Sequence, residues 1–122
     1  MDKAQALHWF WSGFGIPAYD ENSVPDDAPF PRITYSIATD SIGGSILLNA
    51  SVWYKSTSWL AISQKVEAIA HAIVNMYPPA IELDNGRLYL YKGTPFAQRM
   101  SDDDDTIRRI YLNVEAEYLT AD

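Results

Sequence analysis

Between Ser45 and Tyr77 the spacing of apolar side chains changes from two residues to about three and a half. Ile46, Leu48, Ala50, Val52 and Tyr54 fall on every second position, which predicts a long strand with one buried face. Leu60, Ile62, Val66, Ile69, Ala70, Ile73 and Tyr77 then recur at helical spacing, which predicts an amphipathic helix. Ser58 can cap that helix by accepting from a free first-turn amide. Pro78 and Pro79 end it after about Met76, because proline has no amide hydrogen to continue the ladder.

The same patterns place the other elements. Leu7, Phe10, Trp11 and Phe14 share one helical face over residues 3–14, with Gly13 and Gly15 as the stop. Residues 15–31 hold four prolines and the acids Asp20, Glu21, Asp26 and Asp27 without periodicity, and read as a long acidic loop. Residues 32–39 alternate again, with Ile33, Tyr35 and Ile37 on one side, and a turn over 40–45 joins them to the long strand as an antiparallel hairpin. A second hairpin is expected over 81–92. There Asn85-Gly86 suits a tight turn that needs positive φ. Residues 93–106 read as a second irregular loop, and Ile110, Leu112, Val114, Ala116 and Tyr118 mark a last half-buried strand. The expected fold is α+β in one domain over 1–122. It has the order α-β-β-α-β-β-β, a mixed or antiparallel sheet of four to five strands, and two helices on its apolar face.

Composition narrows the function classes. The chain has 122 residues, 48% of them apolar, with four Trp, eight Tyr and four Phe, enough to offset the entropy of ordering one core. It has no Cys, which removes disulfides, thiolate chemistry and Cys-based zinc sites and suits a reducing compartment. No basic stretch leads into an apolar run at Met1-Asp2, so no cleaved secretion signal is expected, and no run of about 20 apolar residues could span a bilayer. The net charge is −7, and the nine Lys and Arg are scattered, which argues against gripping a phosphate backbone. The same carboxylate surplus would keep passing DNA from sticking.

Candidate chemistry is sparse. The run Asp102, Asp103, Asp104 and Asp105 lacks the alternate spacing, the glycine turn and the distal Glu of a calcium loop. It reads as a solvated turn, compensated by Arg99, Arg108 and Arg109 or by Arg of another subunit. His8 and His71, the two histidines, lie on predicted helices with no nucleophile or third ligand in a recognisable motif. Asp20, Glu21, Asp26 and Asp27 sit in a loop that would hold a pair of catalytic carboxylates loosely. Gly43-Gly44 is followed by a strand and no Lys-Ser or Lys-Thr pair, unlike a phosphate loop. No catalytic residue, metal or cofactor is assigned. The aromatic excess in Trp9, Trp11, Trp53, Tyr54 and Trp59 is more telling, since Trp and Tyr anchor protein interfaces. Trp53 falls on the polar face of its strand and should look away from the core.

The chain resembles small prophage proteins of the tail terminator or tail completion type in long-tailed phages. The likeness lies in Ile16-Pro17-Ala18-Tyr19-Asp20-Glu21-Asn22-Ser23-Val24-Pro25, in Ser51-Val52-Trp53-Tyr54-Lys55-Ser56-Thr57-Ser58-Trp59, in Pro95-Phe96-Ala97-Gln98-Arg99-Met100, and in Arg108-Arg109-Ile110-Tyr111-Leu112. The resemblance implies a non-enzymatic virion tail subunit, assembled in the host cytoplasm. Such a subunit forms a hexameric ring on the tail tube, in some cases only on meeting the tube. It ends tube polymerisation and meets a head completion or connector protein, while DNA passes through unbound and no membrane is involved. It places contacts with sister subunits or the tube at Tyr19, Asp20, Glu21, Asp26 and Asp27, and at Phe96, Arg99 and Asp102 to Asp105, to which outward-facing Trp53 is added. Two other readings stay open: another head-tail connector or minor tail component, and a small ligand-binding or hydrolytic α+β domain whose pocket would join Asp20 and Glu21 to the Asp102–Asp105 run.

Overall fold

The computed structural model describes residues 1–38 and 45–120. The first helix, α1 (Lys3–Trp11), starts at a reciprocal cap. Asp2 Oδ1 accepts from the Gln5 amide at 2.8 Å, and Gln5 Oε1 accepts from the Asp2 amide at 2.9 Å. Ala6, Leu7, Phe10 and Trp11 form its buried face. The helix is three residues shorter than expected, because Ser12–Phe14 tightens into a 3-10 turn and Gly15 leaves it at φ 78°.

The second helix, α2 (Leu60–Val74), buries Ile62, Val66, Ile69 and Ile73. Ser58 Oγ accepts from the Leu60 amide at 3.1 Å, as expected, but from one position before the cap, which is Trp59. Leu60 and Tyr77, counted above in the apolar stripe, are 67% and 94% exposed, since one begins the helix and the other lies past its end. Lys65 Nζ donates to the Phe14 carbonyl at 2.6 Å and ties α2 to the turn after α1.

Six strands form one mixed sheet, against the four or five expected: β1 (Ala18–Asp20), β2 (Arg32–Tyr35), β3 (Ser45–Lys55), β4 (Ile81–Leu83), β5 (Gly86–Met100) and β6 (Ile107–Thr120), in the order β1-β2-β3-β6-β5-β4. The extra strand is β1, inside the stretch read as an acidic loop, and it pairs parallel with β2. All other pairs are antiparallel. The turn expected over 40–45 falls, except for Ser45, outside the described residues.

The loop expected over 93–106 is also corrected. β5 runs on to Met100, and only 101–106 is loop. Pro95 cannot donate to the ladder, so the pairing bulges there rather than stopping: Lys92 faces Val114, Ala97 faces Leu112, and Gly93 to Phe96 lie between them opposite Asn113 alone. Asn113 Nδ2 donates to the Pro95 carbonyl at 3.0 Å and closes the bulge.

Leu48, Ala50 and Val52 of β3 and Ile110, Leu112, Val114, Ala116 and Tyr118 of β6 point into the same core as both helices. α1 touches β1 and β4, the opposite edges of the sheet, so the sheet curls around the helices as a half-barrel. Its other face carries no helix among the described residues. No helix among the described residues is long and apolar enough to cross a membrane.

Candidate functional site

The helix-free face carries an organised polar surface. Register sets Arg32 of β2 beside Trp53 of β3, and Trp53 beside Arg109 of β6, on one rung. Each is an outward position, because its strand neighbours Ile33, Val52 and Ile110 are buried in the core. The Arg109 guanidinium lies 4.6 Å from the Trp53 ring and 5.8 Å from Tyr111. The Arg32 guanidinium lies 5.7 Å from Trp53 and 4.2 Å from Phe30. Cations and rings thus alternate across three strands. Trp53 Nε1 donates to Thr34 Oγ1 at 3.0 Å, and Arg109 Nε donates to Ser51 Oγ at 3.0 Å, which locks both side chains. Trp53 is half-buried and stands outside the core cluster, as the alternation implied.

A second arginine pair lies at the same end of the sheet, on the helix side. Arg99 and Arg108 place their guanidinium carbons 4.7 Å and 5.3 Å from the Trp59 ring. Arg108 donates to the carbonyls of Asp105 at 2.9 Å and Thr57 at 2.8 Å, so it staples the 101–106 loop to the β3–α2 connection. Asp102 to Asp105 are exposed. Asp104 Oδ1 accepts from the hydroxyl and amide of Thr106 at 2.7 Å and 2.9 Å, and these bonds hold its carboxyl below the usual range. Asp102 Oδ1 accepts from the Asp104 amide at 2.9 Å. The expected local charge compensation is not what Arg99, Arg108 and Arg109 provide. Among the described residues no ion pair within 4.0 Å joins them to the run, and their guanidiniums go instead to rings, carbonyls and a hydroxyl.

Trp53, Arg99 and Asp102 to Asp105 therefore lie at one end of the sheet, Trp53 on the helix-free face and Arg99 on the helix side. Phe96 packs partly against the core within the bulge. Tyr19 and Asp20 lie on β1, with Asp20 Oδ1 accepting from the Asn22 amide at 3.0 Å and the Glu21 amide donating to the Tyr35 carbonyl at 2.9 Å. Asp26 and Asp27 are exposed in the segment before β2. The partners of Trp53 escaped the sequence reading, because strand register, the only signal that joins Arg32 to Arg109, is not written in local periodicity.

The described residues offer little for catalysis. His8 Nδ1 lies 2.8 Å from the Tyr35 hydroxyl, and Ser12 Oγ lies 3.4 Å from His8 Nε2, with no carboxylate bonded to the imidazole. Burial, then the charge of Asp20, pushes the Tyr35 phenol up. Asp20 lines a concavity of about 640 Å³ with His8 and Tyr35. Asp102 and Asp105 line another, of about 310 Å³, with Trp59 and Arg99. Asp20 and the Asp102–Asp105 run thus line separate concavities, and the shared pocket that would favour a ligand-binding reading is not formed by these two. Among the described residues no group of three or more His, Cys, Asp or Glu could hold a metal ion.

No protein-family model matches the chain, nor does any curated protein sequence. Among solved structures, a chain from the virion of a native gene transfer agent particle matches it with a TM-score of 0.64 and 21% identity, over 96% of this chain and 91% of that one. That likeness shows a shared fold over nearly all of the chain.

Proposed function

We propose that this chain is a non-enzymatic structural subunit of a phage-like particle, and that it forms the ring that caps the tail tube, ends its polymerisation and meets the head. The observation that carries the reading is the match to a virion chain along nearly the full length of both chains. The organised surface agrees with it. Trp, Tyr and Arg half-buried on an open sheet face have the composition of an interface centre. A net charge of −7 suits a passage through which DNA moves without being held.

The test is electron microscopy of the purified chain mixed with the tail-tube protein of its own particle. Ring density at one end of tubes of limited length is the expected result. Tubes that grow without limit and carry no added density would overturn the terminator role. Density along a tube's side or at the head vertex would move the chain to another connector position in the same particle.

A further inference from the structure

We propose that the arginine and aromatic rung on the helix-free face receives the acidic 101–106 loop of a second copy of this chain. This inference rests on the ring reading above and names the contact that would build the ring. The rung holds two cations that lack a carboxylate. Among the described residues the ion pairs within 4.0 Å are Met1 with Asp84 and Arg87 with Glu82, and neither involves Arg32 or Arg109. Arg32 spends Nη1 on the Ala28 carbonyl at 3.0 Å, and its Nε is buried with no hydrogen-bond partner. Arg109 spends Nε on Ser51. That leaves Arg32 Nη2 and both terminal nitrogens of Arg109 without a hydrogen-bond partner among the described residues, donors of the kind that suit a carboxylate, with Phe30 and Trp53 against Arg32 and Trp53 and Tyr111 against Arg109.

The complementary surface lies on the same molecule. Asp103 and Asp105 have exposed carboxylates with no hydrogen bond among the described residues, while Asp102 and Asp104 are partly spent on closing their turn. The loop begins after Met100, which pairs with Arg109, so acids and cations share one end of the sheet yet do not meet within one copy. A face and an adjoining end of opposite charge make a contact between unlike surfaces, which repeats head to tail and closes into a ring when the rotation permits. A phosphate backbone would also suit two arginines, but the excess of 16 acids over 9 cations opposes a polyanion and favours a short acidic loop.

The experiment is sedimentation of the full chain and two charge-reversed variants up to millimolar concentration. One variant carries Arg32→Glu with Arg109→Glu; the other carries Asp102→Lys, Asp103→Lys and Asp105→Lys, sparing Asp104 because it caps the turn. The wild-type chain should associate, and each variant alone should associate roughly a hundredfold more weakly. An equimolar mixture should recover association, because each variant's altered surface then faces its complement. That recovery also shows that both variants fold. A mixture that stays monomeric, a variant that associates like wild type, or a wild-type chain that stays monomeric throughout would each overturn the pairing. So would a duplex oligonucleotide retained by the wild-type chain and released by the arginine variant. None of these outcomes decides the tube-end experiment, where the tail reading stands or falls by itself.

Discussion

Trp11 and Trp53 look alike in the sequence and have opposite roles in the fold. Trp11 is 2% exposed, lies edge-on to Phe10 at 5.0 Å and stacks on Tyr35 at 6.4 Å. Trp11→Ala should cost about 3–5 kcal/mol in chemical denaturation. Trp53→Ser loses one hydrogen bond and two half-buried cation–ring contacts, and should cost about 2 kcal/mol while native spectra persist. Equal losses would place Trp53 in the core. Alternation along β3 was enough to assign the side of the sheet. It could not supply Arg32 and Arg109, which reach Trp53 only through pairing between distant segments. Gly86 shows a different limit. Asn85-Gly86 suits a turn with positive φ, yet neither residue has it, and Gly15 alone does among the described residues. Gly86 is needed because a Cβ there would run into the Leu119 carbonyl oxygen and stand 2.7 Å from the Thr120 Cα. Gly86→Ala should therefore cost about 2 kcal/mol by overpacking, whereas exposed Asn85→Ala should stay within about 0.5 kcal/mol in the same assay.

Strand β5 was only half visible in advance. Gly93 and Pro95 are breakers by local chemistry, and a reading along the chain ends the strand at them. The fold keeps the strand because β6 continues beside it and Asn113 fills the gap opposite the bulge, a compensation supplied by another segment. β1 was hidden for the converse reason: three residues among prolines are too few to show alternation, and their only sheet partner is β2. The loop after β5 carries its own titration. Thr106 holds the Asp104 carboxyl below its ordinary value of 3.8 in the folded chain, chiefly through the hydroxyl and then through the amide. The stabilisation is present above the unfolded value and is lost as pH falls through the lower folded value. Thr106→Val should move the Asp104 titration, followed by NMR, back toward 3.8, leaving the amide bond to hold the remainder. An unchanged titration would assign the shift to another source.

The curl of the sheet was the least predictable property, because it depends on edges that are far apart in sequence. α1 meets both edge strands, Lys3 places its ammonium 4.8 Å from the Tyr118 ring, and the chain's first amine meets Asp84 in the β4–β5 turn at 2.7 Å. Closure of this kind buries phenols. Tyr118 on β6 is fully covered and donates to the Ala38 carbonyl at 3.3 Å, Tyr35 on β2 lies beneath α1, and Tyr54 on β3 packs partly against the core. Burial raises all three phenol pKa values above the ordinary 10.0, with Asp20 adding its charge at Tyr35. A buried neutral phenol favours the folded state while the unfolded chain ionises freely. Its contribution is therefore complete below pH 10.0 and is lost as pH rises from there through the higher folded values. The melting temperature should hold flat up to about pH 9 and fall beyond pH 10. Tyr118→Phe should soften that alkaline fall at the cost of about 1 kcal/mol at neutral pH for its lost hydrogen bond. A wild-type curve that stays level through pH 11 would mean that water reaches these rings, and that the half-barrel is more open than its packing indicates.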